Sequence, residues 1–264
     1  MSLAGINISN VNALTNAGWI DASAGDLSIQ VNGALISTGG YIGSHQGAVS
    51  LNAGATLNLT STNVGSETGT LTLNGPIVAL QSVSQIYGKE IVVDGDTLLI
   101  GKDAHLGLHD TLSQNGSANI YPGKVTINSS KLTINATESE EKGSGVDGTD
   151  IVFNGSSITM NGDRAHISGS GVVTLGSNED DKLISIKAET GGDITGNNVK
   201  LNAHEAIFNQ KSTVSGTTGV EIHAPTLVVD NGSSVSSLSG SVTISLPSHA
   251  GEDAELSIQL GQDL

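Results

Sequence analysis

One spacing constrains this chain more than any other feature. A pair of apolar residues separated by one residue returns about every 22 positions. It begins at Leu27, Val49, Leu71, Ile91, Val125, Ile151, Val173, Val199, Val220 and Val242, with steps of 22, 22, 20, 34, 26, 22, 26, 21 and 22 residues. Each of these positions has an apolar partner two residues later, from Ile29 and Leu51 through Ile222 and Ile244. Period-two alternation marks a strand with one buried face. Recurrence at a fixed period near 20 residues marks a chain built from stacked, nearly identical units.

Each unit has further internal structure. A second apolar position, Leu35, Leu57, Val78, Leu98, Leu132, Ile158, Ala206 or Leu227, follows seven or eight residues after most first-strand anchors. A weaker third position follows at Ile42, Val64, Ile86, Ile167, Ile194, Val214 and Val235. Three short strands per unit of about 22 residues predict an all-β fold, a right-handed parallel β-helix. About ten coils stacked at roughly 4.8 Å give a rod ~50 Å long. The whole chain, 1–264, is expected to be one β-helix domain, with 1–20 and 246–264 as irregular end coils or caps. Trp19 is expected to help close the first end.

The residue after the first strand is Asn52, Asn74, Asp94, Asn128, Asn154 or Asn202 in six units. Asn and Asp tolerate left-handed backbone and suit turns, and stacked copies can share side-chain hydrogen bonds. The long steps locate three insertions. One lies after Leu98, within 101–123. A second lies after Leu132, within 136–150. The third, around Asn178–Asp181, delays a second strand to Ile184.

Composition fits a narrow stacked core better than a round one. Aromatic residues are 2% of the chain and Gly numbers 35, so Val, Ile and Leu must fill the interior. A net charge of −16 argues against nucleic-acid binding, since no basic patch exists to displace phosphate counterions. Cys is absent, which removes disulfides, thiolate metal sites and Cys nucleophiles. No apolar run is long enough for a transmembrane helix, so no membrane insertion of this segment is expected.

Candidate chemistry is sparse. Sugar-cleaving β-helices need acids that converge on one face, yet the acids here lie mainly in loops, at Asp94 and Asp96, Glu138 to Glu141, and Glu179 to Asp181, and their spacings do not return to one face of neighbouring coils. Arg164 is the single arginine, and Trp19, Tyr41, Tyr87, Tyr121, Phe153 and Phe208 are the aromatics. No catalytic, cofactor-binding or metal-ligating residue is assigned. The best local group is His105, His109 and Asp110, with Asp103 nearby. Its i, i+4 histidines are interrupted by Gly107 and lack the glutamate of a helical zinc motif; the segment looks like loop or strand, and its plainest reading is a solvent-exposed polar loop. Ser139–Lys142 with Asp147 and Asp150 does not match a calcium-loop spacing and reads as a solvated acidic loop. Asn-x-Ser/Thr sequons start at Asn7, Asn58, Asn115, Asn128, Asn135, Asn154 and Asn231, a number expected in a chain so rich in these residues.

The repeats GAVSLNAGATLNLTSTNV (47–64), GTLTLNGPIVALQS and NNVKLNAHEAIF resemble those of bacterial filamentous-haemagglutinin-like adhesins and autotransporter passenger domains. The resemblance runs from about Gly18 to Ser245. It implies a non-catalytic stalk, a fragment of a longer exported protein, that reaches the extracellular space or bacterial cell surface through a type V secretion translocator. Its expected partner is a host or bacterial surface receptor or glycan, met by side loops at 101–123 and 137–150. The alternatives are a carbohydrate-active β-helix enzyme, a polysaccharide lyase or hydrolase, and a purely structural spacer. No cofactor is implied.

Overall fold

The computed structural model describes residues 5–107, 123–136, 143–176, 184–230, 232–247 and 254–258. These form a parallel β-helix of about ten turns, with no helical segment. Every strand pairing is parallel, between one coil and the next. Among the described residues no helix is long and apolar enough to cross a membrane.

The first-strand row follows the sequence spacing at every station. Leu27 pairs in register with Val49, Val49 with Leu71, Leu71 with Ile91, and Ile91 with Val125. The row continues through Ile151, Val173, Val199 and Val220 to Val242. Ile6 on β1 (Ile6–Val11) extends it by one coil, since it pairs with Leu27. From Leu27 to Ile222 the paired apolar residues of this row are buried. Each such side chain is worth roughly 1.5–3 kcal/mol when removed from water, so the column is the main source of stability. At the C-terminal end, Val242 and Ile244 on β24 (Ser241–Ser245) are exposed.

The second-strand row also follows expectation, with one shift. On β19 (Ile184–Ala188) it is Ile186, not Ile184, that lies between Ile158 and Ala206. Ile184 pairs with Ala203, and a register irregularity separates it from Ser185.

The third-strand row corrects the reading of two insertions. His105–Leu106 forms a two-residue strand, β12, and Ser144–Gly148 forms β14. Leu106 and Val146 complete the third row between Ile86 and Ile167. These segments are wall, not loop. In the described third strands other than β12, only one large apolar residue per coil points inward, because the next inward position is small. Ala22, Ser44, Ser66 and Gly88 stack in one column, and Gly148 pairs with Gly169 lower down. A Cβ at Gly148 would meet Val125 Cγ2 at 3.1 Å, and one at Gly169 would meet Val173 Cγ2 at 2.7 Å. First-strand valines occupy the third corner and leave no room for a second large residue.

The Asn row stands at a corner, but not in left-handed conformation. None of its six members has a positive φ. Apart from Asn10 on β1, the left-handed non-glycine residues instead follow the second strand: Ser61, Ser82, Val83, Asp103, Gln210 and Lys211. What the Asn row supplies is a side-chain ladder. Asn128 Nδ2 donates to Asp94 Oδ1 at 2.7 Å, and Asn154 Nδ2 donates to Asn128 Oδ1 at 2.9 Å. Asn161 and Asn135 form a similar link at 2.8 Å.

Hydroxyls inside the corners satisfy turn backbone that would otherwise be buried unpaired. Ser44 Oγ donates to Gly25 O at 2.7 Å and accepts the Gly47 N–H at 2.9 Å. Ser84 Oγ lies 2.6 Å from Gln81 O and 2.8 Å from Leu59 O, and accepts the Thr62 N–H at 3.3 Å.

Candidate functional site

The outward side of the third strands carries most of the unusual chemistry among the described residues. One outward row runs Trp19, Tyr41, Asn63, Gln85, His105, Gly145, His166 and Asp193, in register from coil to coil. The parallel row two residues on runs Asp21, Gly43, Gly65 and Tyr87, then Asp147, Ser168 and Thr195. Two groups form on this face.

The first group is aromatic. Trp19 is 80% exposed, and its ring centroid lies 5.7 Å from that of Tyr41 at a tilted angle. Trp19 therefore faces sideways into solvent. The Tyr41 phenol rests where Gly43 would carry a Cβ, and the Tyr87 ring rests over Gly65 in the same way. Burial pushes the Tyr41 hydroxyl up in pKa, helped by the Tyr87 phenol and the charges of Asp21 and Glu67. Beside the rings, His45 Nδ1 lies 2.7 Å from Glu67 Oε1, and its Nε2 lies 3.7 Å from Asp21 Oδ2.

The second group joins three coils. His105 stands on β12, Asp147 on β14, and His166 on β17 (Ala165–Gly169). His105 Nδ1 lies 3.3 Å from Asp147 Oδ2, and His166 Nε2 lies 3.2 Å from the same oxygen. The two imidazole centroids are 5.5 Å apart, with their planes tilted by 41°. His105 is buried, and Asp147 and His166 are mostly buried. Gly145 sits between the histidines in the row and makes their approach possible. A Cβ there would meet His166 Cδ2 at 2.6 Å and Cγ at 2.8 Å. The His166 ring thus lies flat over the intervening coil and reaches Asp147.

Electrostatics follow from this packing. Burial alone would raise the Asp147 carboxyl, but hydrogen bonds from His105 and His166 and their positive potential hold it well below the usual carboxylate range. Burial would lower His166, but the Asp147 carboxylate outweighs it and raises the imidazole above its ordinary value. The backbone carbonyl of Arg164, 3.2 Å from His166 Nδ1, adds to this rise. Asp193, two coils from Asp147, is raised mainly by burial, against the Thr213 hydrogen bond and the His166 charge. Asp147, Asp163, Arg164, His166 and Asp193 line one open cleft of about 360 Å³.

The structure regroups the residues singled out in the sequence. His105 keeps its place in a cluster, but with Asp147 and His166. Asp103 stands apart in a left-handed turn with φ 52°. His109, Asp110, Ser139–Lys142 and Glu179–Asp181 lie outside the described residues. Asp150 Oδ1 accepts the Val172 N–H at 2.8 Å and so anchors the next coil. Asp94 belongs to the Asn ladder. Sequence reasoning passed over His166, although it immediately precedes the third-strand anchor Ile167. His105 precedes Leu106 in the same way, so once Leu106 and Val146 are placed in the third row, register sets the two histidines on either side of Gly145.

No protein-family model matches this chain, and comparison with curated proteins and with solved structures gives no match either. The coil geometry and these two side-chain groups are therefore the basis for a functional reading.

Proposed function

We propose that this chain is a non-catalytic stalk of a bacterial surface adhesin, exported by a type V route and binding glycan-bearing or protein surfaces from its flank. Binding falls to the third-strand face and to loops within 101–123 and 137–150. One observation carries this reading: Trp19 stands 80% exposed beside Tyr41, in a chain where aromatics are 2% of residues. A flat ring with carboxylates alongside can stack on the apolar face of a sugar while the acids accept its hydroxyl hydrogens. The unbroken first-strand row beneath supplies the rigidity a stalk needs.

A glycan array and a cell-surface binding assay with the purified chain test the proposal. Saturable binding is expected, with Trp19→Ala weakening it at least about tenfold, as loss of an aromatic anchor does. Cleavage of a polysaccharide by the purified chain would replace this reading with the carbohydrate-active enzyme.

A further inference from the structure

We infer that His105 Nδ1, Asp147 Oδ2 and His166 Nε2 form a site for one divalent transition-metal ion of the zinc type, which ties three successive coils together. The inference goes beyond the stalk reading and does not depend on it.

Spacing comes first. Zinc holds imidazole nitrogen and carboxylate oxygen at about 2.0–2.2 Å, so neighbouring ligands of a tetrahedral ion stand ~3.3 Å apart. The observed separations are 3.3 and 3.2 Å, and all three ligand atoms lie within 4.8 Å of one another. Little movement of the side chains would admit the ion.

Orientation comes second. A carbonyl oxygen can only accept a hydrogen bond, so the contact from His166 Nδ1 to Arg164 O at 3.2 Å places the proton on Nδ1. In the metal-free site His166 Nε2 can still donate a second proton to the Asp147 carboxylate at 3.2 Å. A divalent cation displaces that proton and takes its place between the nitrogen lone pair and the carboxylate oxygen, so binding releases a proton. Metal-bound histidines are usually fixed in this way, by their other nitrogen donating to a carbonyl or carboxylate. Gly145 adds a purpose-shaped seat, because any side chain there would collide with the His166 ring.

The donor set selects the metal. Two imidazoles and one carboxylate suit zinc and its first-row neighbours, whereas calcium and magnesium take oxygen ligands. Asp147, Asp163 and Asp193 face a single arginine, Arg164, across the adjoining cleft, which leaves the cleft attractive to a cation. The opening beside His166 leaves space for water to complete the coordination.

Placement explains what the ion would do. The ligands are 42 and 19 residues apart in sequence and belong to three consecutive coils. The 34-residue step from Ile91 to Val125 and the 26-residue step from Val125 to Ile151 both fall across these coils, and β12 is only two residues long.

The test uses the full chain stripped with a chelator. Titration calorimetry and native mass spectrometry should find one Zn²⁺ per chain. Zn²⁺ should raise the thermal midpoint, and equimolar Ca²⁺ or Mg²⁺ should not. Co²⁺ at the site should give visible absorption bands. His166→Gln and Asp147→Asn should each weaken Zn²⁺ binding at least tenfold, and circular dichroism reports whether each variant remains folded. His166→Gln removes a partly exposed ring and keeps the site testable if Asp147→Asn unfolds. His45→Gln, in the Asp21–His45–Glu67 group, should leave binding unchanged. Absence of Zn²⁺ binding overturns the inference. So does binding unaffected by His166→Gln, or binding lost in His45→Gln.

Discussion

Phe208 and Ala188 offer a sharp test of how the coil interior is packed. They are register partners in the second-strand row, on β20 (Asp193–Phe208) and β19, and each is 1% exposed. A large side chain on one coil is seated against a small one on the coil before it. Phe208→Ala should cost about 3–5 kcal/mol through lost burial and the cavity left behind. Ala188→Leu should cost about 1–3 kcal/mol, because the added atoms meet the Phe208 ring in a filled interior. Independent sites would sum to about 4–8 kcal/mol in the double variant. Here each change relieves the other, since the leucine enters the space the ring vacates. The double variant should therefore fall short of the sum by at least about 1 kcal/mol. Urea denaturation followed by far-UV circular dichroism on all four proteins measures this. Additivity within about 0.5 kcal/mol would refute the idea that neighbouring coils compensate in size at this station.

Four further outcomes are expected. Ser84→Ala removes a fully buried hydroxyl beside two carbonyls and one N–H, and should cost about 1–3 kcal/mol in the same urea assay. Gly145→Ala should destabilise by about 1–3 kcal/mol, because its Cβ would strike the His166 backbone and ring. Gly18→Ala, with nothing within 4 Å and no positive φ, should instead be neutral or stabilising by up to about 1 kcal/mol. Lys187→Ala breaks a 2.8 Å ion pair with Glu205, but both partners are about one-third exposed, so the loss should stay below about 1 kcal/mol and vanish in high salt.

The coil period was legible because the first strand repeats two inward apolar residues in every unit, and register cannot slip without exposing them. Leu106 and Val146 were harder to find. Leu106 lies on a strand of two residues, and Val146 is followed inward by Gly148, a position that first-strand side chains keep small. Without a period-two pair, Ser144–Gly148 looked like part of an acidic loop. The His105–Asp147–His166 group was hidden for the same reason. Its members are ordinary single polar residues until the third row is aligned, and the alignment crosses both insertions. The Asn row was correctly read as a corner with shared hydrogen bonds. Its backbone was not, because the second corner, after the second strand, is the one that needs left-handed residues.

The outward glycines have a thermodynamic consequence. Tyr41 lies against Gly43, Tyr87 against Gly65 and His166 against Gly145, each ring pinned to bare backbone. A side chain held this way surrenders its rotational freedom when the coil forms. Ordering a free side chain at a contact costs roughly 0.5–1.5 kcal/mol, and these rings would meet a sugar or an ion with that cost already settled in folding. The flank of this rod is, in that sense, a surface set in advance.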